Sequence, residues 1–127
     1  MKITGIGVDI TKNSRIKNML KNRQFINRVF SKDEINSSRK KFDKTSFFAK
    51  RFAAKEAFSK SLGTGISRNL NFKDIVVKND KSGKPFFKIN KKVKAIIYKK
   101  HKTKKFNFLL SITDEKNYSI AFVIFQK

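Results

Sequence analysis

The run Ile3-Thr4-Gly5-Ile6-Gly7-Val8-Asp9-Ile10 decides how the rest of this chain is read. It predicts a buried strand over residues 2–10, with Thr4, Ile6, Val8 and Ile10 pointing one way and Ile3, Gly5, Gly7 and Asp9 the other. Two glycines leave the Asp9 side of that strand nearly bare, so another backbone or a ligand can approach it closely. Asp9 closes the bare face with a carboxylate, which is costly in an apolar strand unless a cation or hydrogen bonds compensate it.

Acidic residues are scarce elsewhere: nine Asp and Glu stand against 32 Lys and Arg, for a net charge of +23. Seven have local roles. Asp33 and Glu34 belong to the Ser31-Lys32-Asp33-Glu34 capping box, Asp43 precedes a helical stretch, Asp74 lies beside a strand, Asp80 opens a Gly-Pro turn, and Asp114-Glu115 fill a hairpin loop. Glu56 is left with Asp9. It lies in the alanine-rich segment Arg51-Phe52-Ala53-Ala54-Lys55-Glu56-Ala57-Phe58-Ser59-Lys60. If the two carboxylates converge they form the minimum for Mg²⁺, which keeps several waters and takes its remaining ligands from substrate phosphates. Lys60, one turn after Glu56, and the Arg51/Lys55 pair on a neighbouring stripe would surround that ion with phosphate-binding cations. Two plainer readings stand beside this one: Glu56 and Lys60 as an ordinary exposed i,i+4 ion pair, and Asp9 as a cap for the helix after it.

A chain of 127 residues is expected to form one domain, residues 1–127, with a core small enough that oligomerisation would help. The positive field would attract phosphate-bearing ligands, nucleic acid or an acidic protein surface. Lys, Asn, Ile and Phe are enriched together, as an AT-biased coding sequence would produce, so much of the lysine is expected to be solvated surface. There is no cysteine, which excludes disulfides and thiolate metal sites, and the single histidine, His101, has no partner ligand near it in sequence. No stretch approaches the length of a membrane-spanning helix and the N-terminal run reads as a strand instead of a signal peptide, so a cytoplasmic protein is expected.

Periodicity predicts two or three short helices between Ser14 and Phe42. A longer helix follows, capped by Thr45 or Ser46 and stopped at Gly63 in a left-handed conformation. A hairpin is expected over residues 72–89 around the Gly83-Lys84-Pro85 turn, then a short helix at 91–101 and two strands, 106–113 and 118–125. The sum is a single α+β domain, an antiparallel sheet packed against an alanine-rich helix and shorter helices.

Gly5-Ile6-Gly7-Val8-Asp9-Ile10 with Arg15-Ile16, then Arg51-Phe52-Ala53-Ala54-Lys55-Glu56-Ala57 with Lys60 and Gly63-Thr64-Gly65-Ile66, resembles the holo-acyl-carrier-protein synthase group of 4′-phosphopantetheinyl transferases. The likeness continues through Phe72-Lys73-Asp74-Ile75, the Gly83-Lys84-Pro85 turn and Ser111-Ile112-Thr113 with Tyr118 and Ala121. It implies transfer of the phosphopantetheine arm of coenzyme A to a serine of apo-acyl carrier protein, with release of adenosine 3′,5′-bisphosphate. It also implies Mg²⁺ as cofactor and a homotrimer with active sites between subunits. Position by position, Asp9 and Glu56 match the metal ligands and Lys60 the lysine beside the pyrophosphate. Arg51, Lys55, Ser111 and Thr113 match coenzyme A contacts, and Arg15 the basic position that meets the acidic carrier protein. Glu56, acting through a water, and Lys60 are the implied catalytic groups.

In one place the chain departs from the resemblance: Asp114 stands where such proteins usually carry histidine. An aspartate there would repel phosphate unless it turns away or a lysine such as Lys116 compensates it. Two further readings follow, a carrier-protein binding module with weak catalysis and a basic nucleic-acid-binding protein. The second is opposed by fourteen phenylalanines that recur at core spacing instead of forming a stacking platform.

Overall fold

Gly5 and Gly7 determine how closely the first strand and the longest helix approach. The computed structural model describes residues 1–67 and 69–127. Its first strand, β1 (Ile3–Lys12), lies against the helix α4 (Lys44–Leu62). A Cβ added at Gly5 would sit 1.9 Å from the carbonyl oxygen of Ser61, and one at Gly7 would sit 1.9 Å from that of Ala57. Only a strand without side chains at these points lets the helix backbone come so near, as the bare face predicts.

Between them run three short helices, α1 (Asn13–Met19), α2 (Arg23–Val29) and α3 (Lys32–Ser38), the last opened by the Ser31/Glu34 capping box. The cap of α4 is Asp43, whose carboxylate accepts from the backbone N–H of Ser46 at 3.0 Å, and not Thr45 or Ser46. Three cap-competent residues stand almost in a row, and helix phase selects the first. Gly63, at φ 75°, ends α4 in the left-handed region as expected.

After a 3₁₀ turn at Phe72–Asp74 come the hairpin β2 (Val76–Asn79) and β3 (Pro85–Lys88), helix α5 (Lys91–His101), and strands β4 (Asn107–Asp114) and β5 (Tyr118–Gln126). β2 and β3 form their own two-stranded sheet; the main sheet is antiparallel in the order β1-β5-β4. One core cluster fills the space between α4 and this sheet, with Ala53, Ala54, Ala57 and Phe58 against Ala121, Val123 and Phe125. A second joins α1 to α3 with the first half of α4 through Ile16, Phe30, Phe48 and Phe52. The fold is therefore α+β, with the sheet on an alanine-rich helix.

One expectation is corrected. β1 is covered on its glycine face only: Ile6, Val8 and Ile10 are 61%, 55% and 62% exposed. In register beside them stand Ile124, Phe122 and Ile120 of β5, then Leu109, Ser111 and Thr113 of β4. The outer sheet face is thus an apolar band on which, among the described residues, no element packs. Ile3 is displaced from the glycine face by a register irregularity between Ile3 and Gly5.

Candidate active site

The tight β1–α4 contact brings Asp9 beside the second half of the helix. Lys60 Nζ donates to the Val8 carbonyl at 3.0 Å and lies 3.4 Å from Asp9 Oδ1. Thr11 Oγ1 donates to Asp9 Oδ2 at 2.7 Å, which holds the carboxylate in place. Glu56, one turn before Lys60, is half-buried. Its pKa is raised, first by burial and then by the charge of Asp9, while Lys60 and Arg15 pull it back down. Asp9, Glu56, Lys60 and Arg15 therefore share one electrostatic neighbourhood.

Both plainer readings of the acids fail on this geometry. Among the described residues, Lys60 pairs with Asp9 and not with Glu56. Helix α1 has Lys12 at its N-cap and no side-chain cap bond, so Asp9 does not cap it. What remains is two carboxylates on rigid elements, Asp9 adding to the cost of ionising Glu56, with cations close by. The donor set is oxygen only: among the described residues no group of three or more His, Cys, Asp or Glu is gathered. Two carboxylates without histidine or cysteine suit Mg²⁺, an ion that keeps several waters and takes phosphate oxygens, better than zinc.

Lys55 is withdrawn from the coenzyme A contacts that the resemblance implies. Its side chain has no solvent exposure, and its ammonium donates to Glu34 Oε1 at 2.7 Å, Phe72 O at 2.9 Å and Ile75 O at 2.6 Å. Three donor bonds require the charged form; burial lowers the lysine's pKa and Glu34 opposes that shift. Glu34 in turn accepts from the backbone N–H of Ser31 and of Val77. The capping box was legible in sequence, but this second role was not. The available signal was Lys55 itself, a lysine in an alanine-rich run that needs a counter-ion if its helix face is covered.

Arg51 lies over the Phe47 ring, 4.0 Å from its centroid, and Nη2 donates to Asn79 Oδ1 at 2.9 Å. Its Nε is buried with no hydrogen-bond partner, and burial lowers its pKa despite Glu34. Arg51 borders a cavity of about 630 Å³ between the start of α4 and the β2–β3 turn, shared with Lys41, Phe42, Lys50, Lys81 and Asp114. The turn is held by Asp80 Oδ1, which accepts from Ser82 N, Ser82 Oγ and Lys84 N. Asp114 Oδ2 accepts from Ser46 Oγ at 2.9 Å, so the aspartate is tied back to α4; among the described residues Lys116 forms no ion pair with it.

Arg51 and Glu56 point about 140° apart around α4, from five steps at 3.6 residues per turn. The cavity and the carboxylates therefore face different sides of one chain. Ser111 and Thr113 stand on the exposed sheet face, whereas Asp9 is in register with Ala121 and Ile112 on the helix side. One chain does not bring these residues together with Asp9 and Glu56. Arg15 does approach: its guanidinium lies 5.8 Å from the Phe52 ring and acts on Glu56.

The family model of the 4′-phosphopantetheinyl transferase superfamily matches residues 5–123. The chain belongs to this superfamily. Within it, the chain is 61% identical over 127 residues to a holo-[acyl-carrier-protein] synthase of Pelagibacter ubique, covering 100% of this chain and 99% of that one. A crystal structure of the holo-[acyl-carrier-protein] synthase of Neisseria meningitidis superposes with a TM-score of 0.89 at 33% identity, covering 99% and 100% of the two chains. Another superfamily structure, a Bacillus anthracis holo-(acyl-carrier-protein) synthase in complex with CoA (3′,5′-ADP), has a TM-score of 0.82 at 36% identity, covering 98% and 96%.

Proposed function

We propose that this protein is a holo-acyl-carrier-protein synthase, one domain over residues 1–127, that moves the 4′-phosphopantetheine group of coenzyme A onto a serine of apo-acyl carrier protein. The observation that carries the reading is the meeting of Asp9, Glu56 and Lys60 at the β1–α4 contact. Membership of the superfamily and the likeness to named synthases over the whole chain support it.

Asp9 and Glu56 would hold Mg²⁺, which supplies positive charge against the pyrophosphate. The serine oxygen forms a new bond to the phosphorus that carries the pantetheine, and the bridging P–O bond breaks, releasing adenosine 3′,5′-bisphosphate. Lys60 places its ammonium where negative charge grows on the departing phosphate. Glu56 takes the serine proton through a water. Arg51, on the cavity wall, lends its positive charge to the nucleotide half of coenzyme A, while its Nε stays buried 3.9 Å from Glu34 Oε2. Arg15 presents its charge to the acidic carrier protein.

The site is built between subunits of a homotrimer. Two features support this: the uncovered apolar band of Ile6, Val8, Ile10, Phe122 and Leu109, and the opposite outlooks of the cavity and the carboxylates on α4. Packing band against band removes apolar surface from water and sets one chain's Ser111 and Thr113 at its neighbour's site. A cytoplasmic setting belongs to the same reading, in keeping with a chain that has no cysteine and, among the described residues, no helix long and apolar enough to cross a membrane.

Incubation with coenzyme A, Mg²⁺ and an apo-acyl carrier protein, followed by mass measurement of the carrier, tests this. The carrier gains one phosphopantetheine. An unmodified carrier at high enzyme concentration would overturn it in favour of a binding module.

A further inference from the structure

Phe42 is the most exposed large apolar residue of the chain. It sits in Arg39-Lys40-Lys41-Phe42-Asp43-Lys44, the loop before α4, and among the described residues its ring has no aromatic or cationic partner. A lone exposed phenylalanine ordinarily needs no explanation. This one stands on the lip of the 630 Å³ cavity whose wall includes Lys41, Lys50, Arg51 and Lys81. Those cations suit phosphate groups, and the one planar cation among them, Arg51, already lies over the Phe47 ring. The cavity's other ring, Phe47, is buried and covered by the Arg51 guanidinium, so Phe42, together with the Pro85 and Ile112 walls, supplies the exposed apolar plane.

We propose that Phe42 is a specificity-determining residue whose ring stacks on the purine base of the nucleotide substrate while the cavity cations hold its phosphates. The inference rests on the coenzyme A reading above and adds to it which residue selects the base. Stacking on an aromatic ring is tolerant of which purine is present but weaker for a smaller pyrimidine, so the wild-type protein prefers purine nucleotides. Because the ring touches no part of the core, its removal leaves the fold unchanged.

The test is calorimetric titration of adenosine 3′,5′-bisphosphate and uridine 3′,5′-bisphosphate into wild-type protein, Phe42→Ala and Phe42→Trp. Wild type and Phe42→Trp bind the adenine compound more tightly than the uracil one. Phe42→Ala loses roughly 5- to 150-fold in affinity for the adenine compound, and its preference for purine collapses. Equal adenine binding by wild type and Phe42→Ala, or a purine preference that survives in Phe42→Ala, overturns the stacking role and leaves the cavity reading intact. A wild-type protein that binds neither compound overturns both.

Discussion

Glu34 and Lys55, 21 residues apart in sequence, meet at 2.7 Å with side chains 1% and 0% exposed. Through them α3, α4 and the start of β2 are fastened at one point, since Glu34 also bonds the N–H groups of Ser31 and Val77. Lys55 immediately precedes Glu56, so the same joint sets the rotation of α4 that aims Glu56 at Asp9.

Removing one partner leaves the other charge buried and alone. Glu34→Gln and Lys55→Met are each expected to destabilise the protein by about 3–5 kcal/mol, and the double variant Glu34→Gln/Lys55→Met by clearly less than the sum. Urea unfolding with an unchanged m value measures this. Strict additivity would show that the pair is not coupled.

Asp9→Ala and Glu56→Ala are each expected to lower the rate of carrier modification by roughly 100-fold or more, the scale of losing a preorganised electrostatic group. Arg15→Ala is expected to act chiefly on KM for the carrier protein and little on kcat. Steady-state kinetics with the carrier varied separates the two. Normal turnover in both acid variants would remove the assigned roles.

Glu56 also makes a stability prediction. Its pKa lies above the ordinary 4.5 because burial and Asp9 penalise the ionised form, so the folded chain binds this proton more readily than the unfolded one. The resulting stability is full below the ordinary value and is lost as pH rises through the folded pKa. At neutral pH without metal, Glu56→Gln is therefore expected to melt about 1–3 °C higher than wild type, a modest gain because solvent screens a half-exposed group. The gain should vanish near pH 4. Added Mg²⁺ should raise the wild-type melting temperature and not that of Asp9→Ala.

Gly7→Ala places a methyl where the Ala57 carbonyl oxygen would be 1.9 Å away. Neither backbone can give cheaply, so a loss of about 3 kcal/mol is expected, with Asp9 displaced from Glu56. Chemical denaturation measures the first effect, and weakened Mg²⁺ binding reports the second.

Phe122→Lys sets a charge in the middle of the exposed apolar band. Light scattering is expected to give a mass of three chains for wild type and one for the variant, whose transferase activity falls with the loss of the shared site. A trimeric variant would place the subunit contact elsewhere.

The stretch from Gly5 to Asp9 carried most of what could be read in advance. Its glycines foretold a close backbone approach, and α4 stops where Gly63 said it would. What the residues alone left open was nonlocal. Glu34 satisfied a cap signature three residues long, and nothing in that signature reveals a partner on another helix. Lys55 was matched to a position by its charge, yet charge says nothing of burial. The outward face of β1 looked like core because apolar alternation is the same whether the cover comes from the same chain or from another.

β1 pairs in the sheet with a strand at the far end of the chain: Asp9 lies opposite Ala121. During synthesis the first strand thus waits, its backbone unpaired, until more than a hundred further residues have left the ribosome. So distant a partnership slows folding, because loop closure must precede the contacts that reward it. A nascent chain halted before β5 would hold Asp9, Glu56 and Lys60 and still lack the strand that pairs with β1.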